Sequence, residues 1–174
     1  MKFSEMPYKR IDMEEVEKEY KSIIERTKNA KSGEEQFEIH REYYKFTADV
    51  QTSMELAMIR HDIDTTDEFY EKESDFYDEV GPIISQYENE YGKVLYDSPY
   101  RDYLESKIGK VTFKNIEIAN KAFDEKIIPL MQEENALSSR YSKLIATAKI
   151  PFEGEVYNLS LMRKFQKKSM ESSQ

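Results

Sequence analysis

The sequence has no cysteine and no tryptophan, and it has only two histidines, five glycines and five prolines. Without cysteine there is no disulfide, no thiolate nucleophile and no cysteine-held zinc, which points to a reducing, cytoplasmic setting. So few breakers in 174 residues, with 35% of them charged, exclude a turn-rich β protein and favour long solvated helices. The opening "MKFSEMPYKRIDMEE" lacks the apolar core of a signal peptide, and no later run is long enough to cross a bilayer, so no membrane partner is expected. Positive charge is also in deficit. A net charge of −9 leaves no concentrated basic surface for phosphates, so nucleic acid is not an expected partner either.

What is abundant is tyrosine and phenylalanine, 13 and 9 residues, placed at helical spacing. The pattern predicts an all-α protein of antiparallel long helices with a small β-hairpin near 150–157. A first helix starts at Asp12, with Glu15 completing a capping box, and carries Val16, Tyr20, Ile23 and Thr27 on one stripe before Gly33 stops it. Ser32 and Glu35 form a second capping box. From there to about Ile63 no glycine or proline interrupts Phe37, His40, Tyr44, Thr47, Val50, Met54, Ala57 and His61, one face of a single long helix. Thr65 with Glu68 makes a third box, with Asp64 as the alternative cap. The next helix keeps its stripe in phase across Gly81-Pro82, which predicts a kink rather than an end. Ser98-Pro99 opens a short helix that stops near Gly109, and another runs over 111–122. A further helix extends from about Asp124 to Lys149 with Leu130, Leu137, Tyr141, Leu144, Ile145 and Ala148 inward. Then "IPFEGEVYNL" reads as two strands about Glu153-Gly154, and Asn158 caps a final helix before the tail "SMESSQ". One domain over 1–174 is expected: a helical body to 149, the hairpin, and a further helix beginning at 158.

The densest cluster of chemistry-bearing side chains is "RHDIDTTDEFYEKE", residues 60–73, with one histidine and six carboxylates. Counted as an EF-hand loop it offers Asp62, Asp64 and Thr66 at positions one, three and five and Glu73 at position twelve. Position six is Asp67, where such a loop needs glycine for its sharp turn. A metal phosphohydrolase would need His40 beside His61-Asp62. On one helix these histidines stand about 31 Å apart, too far to share an ion. Nor can two histidines 21 residues apart write the His-Glu-x-x-His motif of a zinc peptidase. The alternative is a helix corner, in which the acids answer free amides and the positive end of a helix dipole.

Three stretches carry a resemblance: the opening "MKFSEMPYKRIDMEEVEKEY", then "IRHDIDTTDEFYEKESDFYDE" with "SPYRDYLESKIGK", and "ENALSSRYSKLIATAKIPFEGEVYNLS". Together they resemble the N-terminal segment of oligoendopeptidase F-like enzymes in the thimet-oligopeptidase family of zinc metallopeptidases, from Met1 to about Lys168. The resemblance implies a mostly helical region that walls a channel admitting short peptides. It also implies that zinc and the catalytic glutamate belong to a C-terminal region with no counterpart in these residues. On that basis no catalytic residue, no metal ligand and no cofactor are expected in this chain, which would be a truncated piece of the family's length. Its expected partners are short peptides or the missing catalytic region. Two other functions remain open from the residues themselves: a stand-alone helical interaction or homo-oligomerisation module, and a calcium-binding module at 62–73.

Overall fold

The structure is a computed structural model that describes residues 3–159 and 161–165; the tail quoted above as "SMESSQ" lies outside them. Helix α1 (Met13–Asn29) begins where Asp12 turns its carboxylate back to accept from the backbone N–H groups of Glu14 and Glu15, at 2.9 and 3.3 Å. Its stripe is the expected one: Val16, Tyr20, Ile23 and Thr27 are all buried. Helix α2 (Gly33–Ile63) is likewise uninterrupted, started by Ser32, whose hydroxyl accepts from the Glu35 N–H at 3.1 Å. The Glu35 carboxylate closes the box one residue early, on the Lys31 N–H at 2.6 Å.

Gly33 does not stop α1; it opens α2. A Cβ at this position would lie 2.6 Å from Cδ1 of Tyr103, so glycine is what allows the start of α2 to approach the short helix that follows. That helix is α4 (Arg101–Ile108), preceded by α3 (Glu68–Tyr96) and followed by α5 (Lys110–Ala122) and α6 (Ile128–Ala146). Strands β1 (Ile150–Phe152) and β2 (Glu155–Tyr157) pair antiparallel, Ile150 opposite Tyr157, about a turn in which Glu153 and Gly154 both take positive φ. Beyond them the Asn158 side chain accepts from the Leu161 N–H at 2.8 Å, as a helix cap does.

The core lies where α1, α2 and α3 pack together, with α4 and α5 closing one end. One cluster gathers Ile23, Ile39, Tyr91, Leu95, Leu104 and Phe113. A second gathers Val16, Tyr20, Val50, Ala57, Tyr77 and Ile84. Tyr43, Phe46 and Tyr87 pack against both. Each large side chain removed from water here contributes about 1.5–3 kcal/mol. Among the buried polar groups, Gln36 and Ser98 are paired. Gln36 donates to the Thr27 carbonyl at 2.9 Å and accepts from the Ser98 hydroxyl at 2.5 Å, tying α1, α2 and the turn after α3. Tyr44, expected on the inner stripe, is exposed; the adjacent Tyr43 takes the inward place. Among the described residues no helix is long and apolar enough to cross a membrane.

Helix α3 continues through Gly81-Pro82 without a break. Proline has no N–H, so the carbonyl four residues earlier, on Asp78, loses its partner within the helix. Helix α6 supplies one: the Asn135 amide donates to the Asp78 carbonyl at 3.3 Å, and Gln132 donates to the Glu79 carbonyl at 2.7 Å. Ser139 donates to the Asp78 carboxylate at 2.5 Å, and Lys143 pairs with Glu71. The docking of α6 on α3 is therefore a polar strip, and no residue of α6 is fully buried. Leu130, Leu137, Tyr141 and Leu144, expected to point inward, are 64%, 53%, 65% and 69% exposed. They occupy the opposite face, because donors rather than methyl groups answer the carbonyls of α3.

This arrangement makes Pro82 and Asn135 energetically coupled. Replacing Asn135 with Leu should cost about 1 kcal/mol, since it strands a half-buried carbonyl. In a Pro82→Ala background the helix regains its own N–H donor and the same change should cost close to nothing. Urea denaturation of the four proteins measures the coupling, and an equal cost of Asn135→Leu in both backgrounds would contradict it.

Candidate functional site

The acidic stretch 60–73 forms the corner between α2 and α3. The turn itself is only residues 64–67, with Asp62 still on α2 and Glu73 already in the second turn of α3. Asp67, and not Thr65 or Asp64, caps α3: its carboxylate accepts from the Phe69 and Tyr70 N–H groups at 2.9 and 3.2 Å. Asp64 follows the end of α2 and folds onto Thr66, accepting from its N–H at 3.0 Å and its hydroxyl at 2.6 Å, which holds the carboxyl below its ordinary pKa. The Asp62 side chain is 80% exposed. Glu73 is 4% exposed. The four candidate calcium ligands are thus not gathered: two are committed to local partners and one points to solvent.

Glu73 is held by the N-terminal segment. Arg10 grips its carboxylate with two hydrogen bonds, Nε at 2.8 Å and Nη2 at 2.5 Å, and the Tyr8 hydroxyl donates to the same oxygen as Nε. The Arg10 guanidinium holds the Glu73 carboxyl below the usual range, and burial beside that carboxylate pushes the Tyr8 hydroxyl well up. Arg10 also lies over the Phe76 ring at 4.6 Å. Nearby, Arg60 donates to the Tyr70 hydroxyl and the Met6 carbonyl, each at 2.6 Å. The corner is a clasp that straps residues 3–11 across the α2–α3 turn. Tyr8 and Arg10 were not legible as its partners, because nothing local in sequence links them to a residue more than sixty positions away.

The histidines are separately engaged. His40 lies in mid-α2, its Nδ1 3.0 Å from the Tyr91 hydroxyl, and burial holds its pKa below 6.5. His61 is buried in the last turn of the same unbroken helix, about 31 Å away by helical rise. Among the described residues no three His, Asp or Glu side chains are placed to hold a metal ion. A cleft of about 390 Å³ lies between α3, α5 and the start of α6, lined mainly by apolar atoms.

Two comparisons place this geometry among known proteins. A model of the Peptidase M3 N-terminal domain matches residues 3–123. Among solved structures, PZ peptidase A, determined with an inhibitor, superposes with a TM-score of 0.91 at 40% identity, covering 94% of this chain and 29% of that one. A protein designated oligoendopeptidase F gives 0.91 at 39% identity over 95% of this chain and 29% of its own. Another so designated, from Bacillus anthracis str. Ames, gives 0.91 at 38% identity over 95% and 30%. This chain therefore spans under a third of the length of these relatives. No curated protein matches it.

Two outcomes check the assigned interactions. Glu73→Gln should lower stability by about 1–3 kcal/mol at neutral pH, the worth of hydrogen bonds to a charged group. Because the folded carboxyl titrates below its ordinary 4.5, the native pair is present above that pH and is lost as the pH falls through the lowered value. The gap between native and variant urea midpoints should therefore narrow from pH 7 to pH 3, and a constant gap would defeat the assignment. His40 has the same sign, in a window that starts near pH 6.5: the unfolded chain takes up a proton there that the folded chain refuses, so stability falls with the pH. Glu88, raised by burial, works in the opposite direction, so the readout is a difference. His40→Gln should flatten the slope of stability between pH 7 and pH 5 relative to the native chain, and parallel slopes would contradict it.

Proposed function

We infer the role of this chain from one premise: it belongs to the Peptidase M3 N-terminal domain family. That family is one of zinc peptidases. The described residues do not fit a zinc ion, since one histidine is spent on Tyr91, the other stands far along the same helix, and the buried Glu73 is taken by Arg10. The role we propose is that of a non-catalytic helical domain, spanning 1–174, of an oligoendopeptidase F-like metallo-oligopeptidase. It helps wall the channel through which short peptides reach a catalytic region that supplies zinc and the hydrolytic chemistry. The lack of cysteine fits a cytoplasmic setting for this role.

The observation that supports the reading is the outer face of α6. Leu130, Leu137, Tyr141 and Leu144 share one side of the helix and stay exposed, while α6 spends its polar side chains on α3. Apolar surface left in a contiguous row marks a place where another body packs. Under this reading that body is the remainder of the peptidase. The same face supports a second reading, a helical module that pairs with its own copy.

Two measurements separate these. The isolated chain should bind substoichiometric zinc by elemental analysis and leave a quenched fluorescent peptide uncut; stoichiometric zinc with cleavage would overturn the non-catalytic role. Sedimentation should show a monomer at micromolar concentration, whereas a dimer dissolved by Leu137→Glu with Leu144→Glu would favour the second reading. Those two changes should alter stability by only about 0.5 kcal/mol each, because both side chains already face water.

A further inference from the structure

We propose that Tyr91 is a redox-active tyrosine: it yields one electron to a one-electron oxidant at the protein surface while its hydroxyl proton passes to His40. The proposal goes beyond the channel role and does not depend on it. The chain has neither cysteine nor tryptophan, so tyrosine is its readiest source of a single electron. A phenol oxidised at neutral pH must also lose its proton. Tyr91 is 2% exposed, and burial pushes its hydroxyl well above the ordinary range, so no phenolate forms beforehand. Electron and proton must leave together, which requires a base already in place.

His40 is that base. Its Nδ1 lies 3.0 Å from the Tyr91 hydroxyl, and burial keeps the imidazole neutral, with its own proton on Nε2. Thr27, also beside Tyr91, has given its hydroxyl proton to the Ile23 carbonyl at 2.7 Å and is a far weaker base. Other tyrosines meet carboxylates on worse terms. Tyr8 donates to Glu73, whose basicity Arg10 has lowered. Glu17, beside Tyr87, is paired with Lys21 at 3.0 Å, and Tyr20 stands 3.5 Å from Glu88. The route inward is Tyr43, which is half-buried and stacks on Tyr91 with ring centroids 3.7 Å apart. The step balances: the oxidant gains one electron, the phenol O–H bond breaks, Nδ1 takes the proton, and a neutral tyrosyl radical faces an imidazolium. Buried as it is, that radical cannot meet a second chain and couple into dityrosine.

The test uses tris(bipyridine)ruthenium(III), made by flash photolysis with pentaamminechlorocobalt(III) in a solution of the full 174-residue chain. Electron paramagnetic resonance should show two tyrosyl populations, a fast one on exposed rings and a persistent one at Tyr91. Tyr91→Phe should abolish the persistent population and leave the fast one. His40→Gln should slow formation of the persistent radical by about a hundredfold, the lower end of what a positioned proton acceptor contributes. Should either variant fail to fold, the native chain grown on isotopically labelled histidine gives an independent readout. Its persistent radical should couple to an imidazole nitrogen, which only a ring within hydrogen-bond reach can supply. No persistent tyrosyl signal, a signal unchanged in Tyr91→Phe, an unchanged rate in His40→Gln, or no coupling to histidine nitrogen would each overturn it.

Discussion

Tyr43 lies on Tyr91 with ring centroids 3.7 Å apart, and Tyr20 lies on Tyr87 at 5.4 Å, at the seam where α1, α2 and α3 meet. These rings join the two halves of the core, and the rest of the structure follows from keeping them together. Helix α2 must deliver Ile39 to one cluster, Tyr43 and Phe46 to the junction, and Val50 and Ala57 to the other. A break anywhere along that span would turn one set away from its partners. The same continuity sets the two histidines apart, so a structural demand removes the metal chemistry that their presence suggests. Tyrosine suits the seam better than phenylalanine because its hydroxyl has uses there: that of Tyr91 meets His40 Nδ1, and that of Tyr20 meets Glu88.

Helix periodicity made α1 and α2 legible in the sequence almost residue for residue, because in both a cap, a stripe and a buried face agree. The hairpin was legible from Glu153-Gly154 between short apolar runs. Two kinds of feature were not. Caps compete when Asp64, Thr65 and Asp67 stand within four positions, and only the geometry of the turn selects Asp67. The facing of α6 departs from its periodicity for a different reason. Its leucine stripe has the right period for burial, and periodicity states that a face is apolar without stating what covers it. The one available signal lay on another helix, in the carbonyl that Pro82 had to leave free.

The acidic corner shows how a dense set of carboxylates can serve architecture alone. Asp67 answers amides, Asp64 shapes the turn, Glu71 reaches Lys143 on α6, and Glu73 anchors the N-terminal segment through Arg10. Spread over four tasks, the acids leave no shared point at which a cation would gain from all of them.

Pro82 has a consequence for how the molecule opens. An apolar helix peeled from its neighbour exposes oily surface on both, and the solvent resists. At the α3–α6 seam the groups uncovered are carbonyls, amides, a hydroxyl and an ion pair, all of which water can satisfy in turn. Separation of 128–157 from the three-helix body is therefore inexpensive compared with disruption of the tyrosine seam. The amides of α6 should therefore exchange with solvent before those of α1–α3.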